Sequence, residues 1–157
     1  MSFNFVLIGM TQLKYFVPIV IEANKRKIVS RVFFGKCNKY CCPHSNMYQL
    51  QKIAKKYNFE LINISKINDY PATTFLVEGD GLEKITYSNK KYSLTYMTDF
   101  SVSLDKYIEN VNHVIFPSKQ FAKYYNVENK KNLYLGSPKY SLSYDSKKEI
   151  LEKYQID

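Results

Sequence analysis

Phe3-Asn4-Phe5-Val6-Leu7-Ile8-Gly9 is a near-continuous apolar run that ends in glycine. A strand that is apolar on both sides is one covered on both faces, the pattern of a central strand in a parallel sheet. Behind it, Leu13, Phe16, Val17, Val20 and Ile21 recur at the i, i+3, i+4, i+7, i+8 spacing of a helix with one face laid on a sheet. A β-α opening of this kind predicts an α/β chain. Pro18 falls within the helical pattern, and because proline is ordinarily tolerated only in a first turn, the helix start stays open. Residues 3–23 are apolar enough to raise a membrane anchor, but they have no basic leader, and Lys14 and Pro18 interrupt them. They read instead as a buried strand followed by an amphipathic helix.

The alternation continues along the chain. Residues 28–34 read as a second strand, Gly35 opens a polar loop, and Ser45 stands as an N-cap before Met47, Leu50, Ile53, Ala54 and Tyr57 at helical spacing. Residues 59–64, 73–77 and 92–97 read as further strands, with Glu78-Gly79-Asp80-Gly81 as a tight turn. Ser103 can cap a helix to about residue 110, residues 113–116 form a short strand, Ser118 can cap a helix to about residue 125, and residues 133–135 form the last strand. Ser146-Lys147-Lys148-Glu149 has the capping-box pattern of a helix running almost to Asp157. Strands alternating with helices predict right-handed crossovers and a Rossmann-like three-layer α/β domain, with a mostly parallel sheet of about six or seven strands. The domain is expected over residues 1–145, with a C-terminal helix over 146–157.

A chain of 157 residues with 45% hydrophobic content is the size of one domain and buries roughly two-thirds of its unfolded surface. Lys and Arg number 23 against 14 Asp and Glu, and the net charge of +9 favours an anionic partner. The cations come in short groups, at Lys25 to Lys27, Lys55-Lys56, Lys90-Lys91, Lys130-Lys131 and Lys147-Lys148, spread along the sequence. Solvated surface is the simple account of them. No nucleic-acid motif accompanies them, so no specific nucleic-acid partner is expected. Cys37, Cys41 and Cys42, an odd number crowded into six positions, argue against a disulfide framework and for a reducing, cytoplasmic compartment.

In an open parallel sheet, ligands sit beyond the carboxyl ends of the strands, so residues following each strand are the candidates. Gly9, Thr11 and Gln12 follow the first strand, as candidate substrate-binding residues. There is no GxGxxG and no P-loop, so no nucleotide cofactor is expected here. Glu78 and Asp80 follow the fourth strand and Asp99 the fifth, and carboxylates on neighbouring strands can converge on one cleft. A carboxylate within reach of a hydroxyl proton acts as a general base, which makes Asp99 and Asp80 the candidate catalytic residues and Glu78 a substrate-binding one. Equally, Glu78 and Asp80 suit a turn and Asp99 a helix N-terminus. Cys37, Cys41, Cys42 and His44 carry zinc-ligand chemistry, but the C-x3-C-C-x-H spacing differs from a zinc knuckle, and loop or partly buried thiols are the expectation. No metal and no cofactor are expected. His113 opens an apolar strand and reads as structural, and His44, just before a helix N-terminus, is a weak base.

Leu133-Tyr134-Leu135-Gly136-Ser137-Pro138-Lys139-Tyr140, followed by a lysine-rich segment ending Ile150-Leu151-Glu152-Lys153-Tyr154, resembles a signature of B-fold glycosyltransferases. Their CDP-glycerol glycerophosphotransferase and sugar-nucleotide 2-epimerase relatives share it. In these families a short strand leads into a Gly-Asn-Pro-Lys-Tyr-Asp turn near the crossover between two domains. This chain has Gly136, Pro138, Lys139 and Tyr140, with Ser137 and Ser141 in place of the Asn and Asp. Residues 105–112, 113–118 and 119–125 follow the helix, strand and helix of the same template, and the first β-α unit with its Pro18 is similar too.

The resemblance implies the acceptor-side, N-terminal half of a glycosyltransferase, with Ser118, Gly136, Ser137 and Pro138 among the substrate-binding residues. A sugar-nucleotide donor would then be held by a second domain, beyond residue 157 or on a separate partner, and the acceptor would be a carbohydrate or a phosphate-bearing molecule. Several relatives carry His-Gly after the fifth strand, where this chain reads Thr98-Asp99-Phe100-Ser101, so the role there would fall to Asp99. Half of a sugar-nucleotide 2-epimerase, or a non-catalytic interaction module of the same fold, are the alternatives. No transmembrane segment is expected, while peripheral membrane contact is compatible with the charge.

Overall fold

The computed structural model describes residues 1–35, 42–87, 89–95, 110–124 and 130–140. Seven strands form where the apolar runs predict them. They are β1 (Ser2–Leu7), β2 (Val29–Phe34), β3 (Glu60–Asn63), β4 (Thr73–Val77), β5 (Lys91–Leu94), β6 (His113–Phe116) and β7 (Asn132–Tyr134). They lie in the order β3-β2-β1-β4-β5-β6-β7, and every neighbouring pair is parallel. The chain therefore has an α/β Rossmann-like fold.

The central place of β1 explains its composition. Phe5 pairs with Val32 on one side and Phe75 on the other, and Phe5, Val6 and Leu7 are fully buried. Phe5 and Leu7 face one core and Val6 the other. Asn4, the polar exception, is buried too, and its amide donates to the Tyr70 carbonyl at 2.7 Å and the Tyr87 hydroxyl at 3.1 Å.

On one face of the sheet lie α1 (Leu13–Lys25) and α2 (Met47–Tyr57), which bring Phe16, Val17, Val20, Leu50 and Ala54 against Phe5, Leu7 and Val32. Each large side chain removed from water there contributes about 1.5–3 kcal/mol. On the other face, Val6, Phe33, Leu76 and Phe116 pack with Ile67, Ile85 and Ala122, the last from α3 (Lys119–Tyr124). Across four strands the register partners Phe5, Phe75, Tyr92 and His113 stack ring on ring, with centroids 5.3, 5.4 and 5.3 Å apart.

The structure settles the start of α1, moves the cap of α2 and adds one element. Helix α1 starts at Leu13, so Pro18 sits well inside it; one backbone donor is lost, and burial of the ring contributes packing against that loss. Ser45 is not the cap of α2: it lies within a 3-10 turn, His44–Asn46, and Asn46 takes the N-cap position, donating its amide to the Cys42 carbonyl at 2.9 Å. Between β3 and β4 the chain forms a 3-10 helix, Ile64–Asp69, too short for a periodicity to reveal. Asn63 caps it by accepting from the Ser65 amide at 3.0 Å, and Ile67 fills the second core. Most of the expected helix at 103–110, the one at 146–157, and Asp99, Cys37 and Cys41 lie outside the described residues. Among the described residues no helix is long and apolar enough to cross a membrane.

Candidate functional site

Sheet order reverses between β1 and β4: β2 lies to one side of β1, and β4 to the other. The carboxyl ends of these two strands border the crevice in which open α/β sheets take their ligands. Gly9, Thr11 and Gln12 leave β1 there, and Glu78, Gly79, Asp80 and Gly81 leave β4.

Gln12 ties the two exits together. Its side-chain oxygen accepts from the backbone amides of Ile8 at 2.9 Å and Gly9 at 3.2 Å, which fixes the turn after β1. Its side-chain nitrogen donates to Asp80 Oδ2 at 2.7 Å. Gln12 is buried while Asp80 is exposed, so the carboxylate is held from its buried side. A hydrogen bond onto a carboxylate is charge-assisted and stronger than one between neutral groups.

The β4 exit is held from the other side by β5. Glu78 N–H donates to the Leu94 carbonyl at 2.9 Å and Gly79 N–H to the buried Ser93 hydroxyl at 3.0 Å, while Asp80 N–H donates to the Val77 carbonyl at 3.0 Å. Glu78, Gly79 and Gly81 all have positive φ, at 54°, 73° and 79°. For Glu78 this conformation costs about 1–2 kcal/mol relative to ordinary backbone, a strain of the kind found at ligand sites. Gly81 is required on two counts, since a Cβ there would also come within 2.5 Å of Val6 Cγ1.

Of the residues singled out in the sequence, the fold brings Gly9, Gln12, Glu78 and Asp80 together at this crevice, with the exposed Thr11 in the same turn. Ser118 also lies on the carboxyl edge, past β6, but its hydroxyl accepts from the Phe121 amide at 3.1 Å and starts α3. Gly136 has φ 77°, and the 3-10 turn Pro138–Tyr140 crosses from the β7 side to pack against α1. There Lys139 Nζ stands 5.8 Å from the centre of the Tyr15 ring, which Lys14 also approaches at 5.3 Å. The Gly136 to Lys139 segment thus ends beside the first turn of α1, which Gln12 precedes.

The cysteine cluster is described only in part. Cys42 is buried with its sulfur 3.9 Å from the Gly35 carbonyl, and His44 is exposed. Among the described residues no group of three or more His, Cys, Asp or Glu could hold a metal ion. Sequence reasoning passed over Ser93 and Tyr15, and no local sequence signal marks the former, whose hydroxyl becomes informative only through its contact with the Gly79 amide. At the opposite, amino edge of the sheet lies a separate cleft of about 470 Å³, lined by Asn24, Lys27, Ser30 and Asn58 among others.

Comparison with protein-family models, with curated proteins and with solved structures finds no match for this chain.

Proposed function

We propose that the chain is the acceptor-binding half of a sugar-nucleotide glycosyltransferase working in the cytoplasm, with Asp80 as general base. The observation that carries this reading is the Asp80 carboxylate, exposed at the sheet's reversal point and oriented by the buried Gln12. An acceptor hydroxyl would donate to Asp80. As that oxygen bonds to the donor's anomeric carbon, the nucleotide leaves with the electrons of the broken bond and the proton passes to Asp80. Asp99, five residues past β5, is the second candidate base.

The resemblance of the 133–140 segment to glycosyltransferases supports the same reading, and so does its return to α1 beside Gln12. Gly9, Thr11, Glu78, Ser118, Gly136, Ser137 and Pro138 would then line the acceptor side, and a second domain would hold the donor. Ligand-observed NMR on the chain with a panel of polyols, monosaccharides and their phosphates tests the proposal. Saturation transfer to at least one of them, lost in Asp80→Ala, is expected. Binding that survives Asp80→Ala, or no binding across the panel, removes it.

A further inference from the structure

Four of the five basic groups that look scattered in the sequence share one place in the fold, and the fifth, Lys147-Lys148, lies outside the described residues. In a parallel sheet every strand begins at the same edge. Lys25-Arg26-Lys27 immediately precede β2, Lys55-Lys56 close α2 ahead of β3, Lys90-Lys91 lead into β5, and Lys130-Lys131 lead into β7. Four groups from distant parts of the chain are therefore set along the amino edge, which spans seven strands, or about 29 Å at the usual strand spacing. Attraction between lysines and helix dipoles accounts for the groups ending α1 and α2, but not for those that lead into β5 and β7. Opposing acids among the described residues of this edge are few. Glu22 bridges Lys25 and Arg26, Glu60 pairs with Arg31, and Asp69 ends the 3-10 helix before β4.

Exposed apolar side chains stand among these cations. Met1 precedes β1, Val29 opens β2 opposite Ser2, and Tyr70, whose carbonyl is held by Asn4, stands ahead of β4; they are 89%, 44% and 38% exposed. The cleft lined by Asn24, Lys27, Ser30 and Asn58 opens between the last turns of α1 and α2 on the same edge. We propose that this amino edge docks the chain on an anionic membrane surface. Lysine supplies nearly all of the charge, as long, flexible point charges suited to phosphate headgroups rather than to the geometric reading of bases. The apolar and aromatic side chains between them sit where an interface takes such groups. A nucleic-acid surface would instead pair a basic groove with stacking aromatic platforms. The docking does not depend on the transferase reading, because it uses the edge opposite Asp80.

Vesicle flotation of the 157-residue chain tests it, with neutral phosphatidylcholine vesicles set against vesicles in which phosphatidylcholine is mixed with anionic phosphatidylglycerol. Binding to the anionic vesicles alone, released by high salt, is expected. Each cation held at such a surface contributes about fivefold in partitioning, so the triple variant Lys27→Glu, Lys55→Glu, Lys90→Glu loses on the order of 100-fold or more. An equal reversal away from the edge, Lys52→Glu, Lys119→Glu, Lys123→Glu, keeps binding within about threefold, with circular dichroism confirming that both triples fold. No anionic-vesicle binding, or equal loss in the two triples, overturns the proposal. So does tighter binding of wild type to a short nucleic-acid duplex, lost in the edge triple.

Discussion

Gln12 reaches across the reversal point of the sheet and donates to Asp80 at 2.7 Å, while its side-chain oxygen serves two backbone amides in the turn after the strand it follows. One buried side chain thus shapes the turn after β1 and aims a carboxylate that belongs to β4. Gln12→Ala should cost about 1–3 kcal/mol in urea unfolding, since it leaves two partly buried backbone donors without their acceptor. It should also weaken any ligand that depends on Asp80. A variant as stable as wild type would show that the bridge is ornamental.

Asp80→Asn preserves an oxygen for Gln12 and sits on the surface, so stability should change by no more than about 0.5 kcal/mol. On the proposed transferase reading, and with a donor-binding domain supplied, the same change should lower the transfer rate by about 10²–10⁴-fold, the usual size of a lost general base. Steady-state transfer assays read this directly. An unaltered rate would move the base elsewhere, to Asp99 first.

Gly81 and Gly136 share a positive φ but not their surroundings. Gly136→Ala meets nothing within 4 Å and should cost only the backbone strain of about 1–2 kcal/mol. Gly81→Ala adds a collision with Val6 in a packed core and should cost roughly 1–3 kcal/mol more. Paired thermal or urea melts of the two variants check the ranking.

Tyr87 places its hydroxyl 2.6 Å from Thr74 Oγ1 and accepts from the Asn4 amide at 3.1 Å. Tyr87→Phe removes a shared partner from two buried polar residues and should destabilise by about 1–3 kcal/mol. A double-mutant cycle with Asn4→Ala should show coupling above 0.5 kcal/mol, the threshold for residues in one network.

The Arg26 guanidinium and the Lys25 ammonium hold the Glu22 carboxyl below its ordinary value. A carboxyl more acidic in the folded chain than in the unfolded one stabilises at neutral pH, and that contribution fades once the pH falls below the ordinary carboxyl value of 4.5. Glu22→Gln should therefore melt slightly below wild type at pH 7, with the gap closing as the pH is lowered. A difference that does not shrink with falling pH would point to lost packing instead.

The seven strands were legible because each holds a short cluster of aliphatic or aromatic residues between turn signals, and β1 in particular announces its central place by lacking any exposed face. What stayed hidden depends on contacts between distant positions. Nothing local to Gln12 says that its amide meets Asp80, and Ser93 reads as an ordinary strand residue until its hydroxyl is found on the Gly79 amide. Pro18 and Ser45 misled for the opposite reason: rules for local propensity gave way to packing and to a 3-10 turn. The grouping of the lysines was invisible for a simpler reason, since it exists only once the strands are parallel.

The register that sets Phe3 beside Thr73 also orders events in time. The first strand leaves the ribosome long before its fourth-strand neighbour is made, and contacts of such long sequence separation slow folding. Until then, one edge of the most apolar strand in the chain is open to misassociation, and Gln12 has no carboxylate to meet. The crevice is therefore assembled late in the newborn polypeptide, only when the two halves of the sheet have joined.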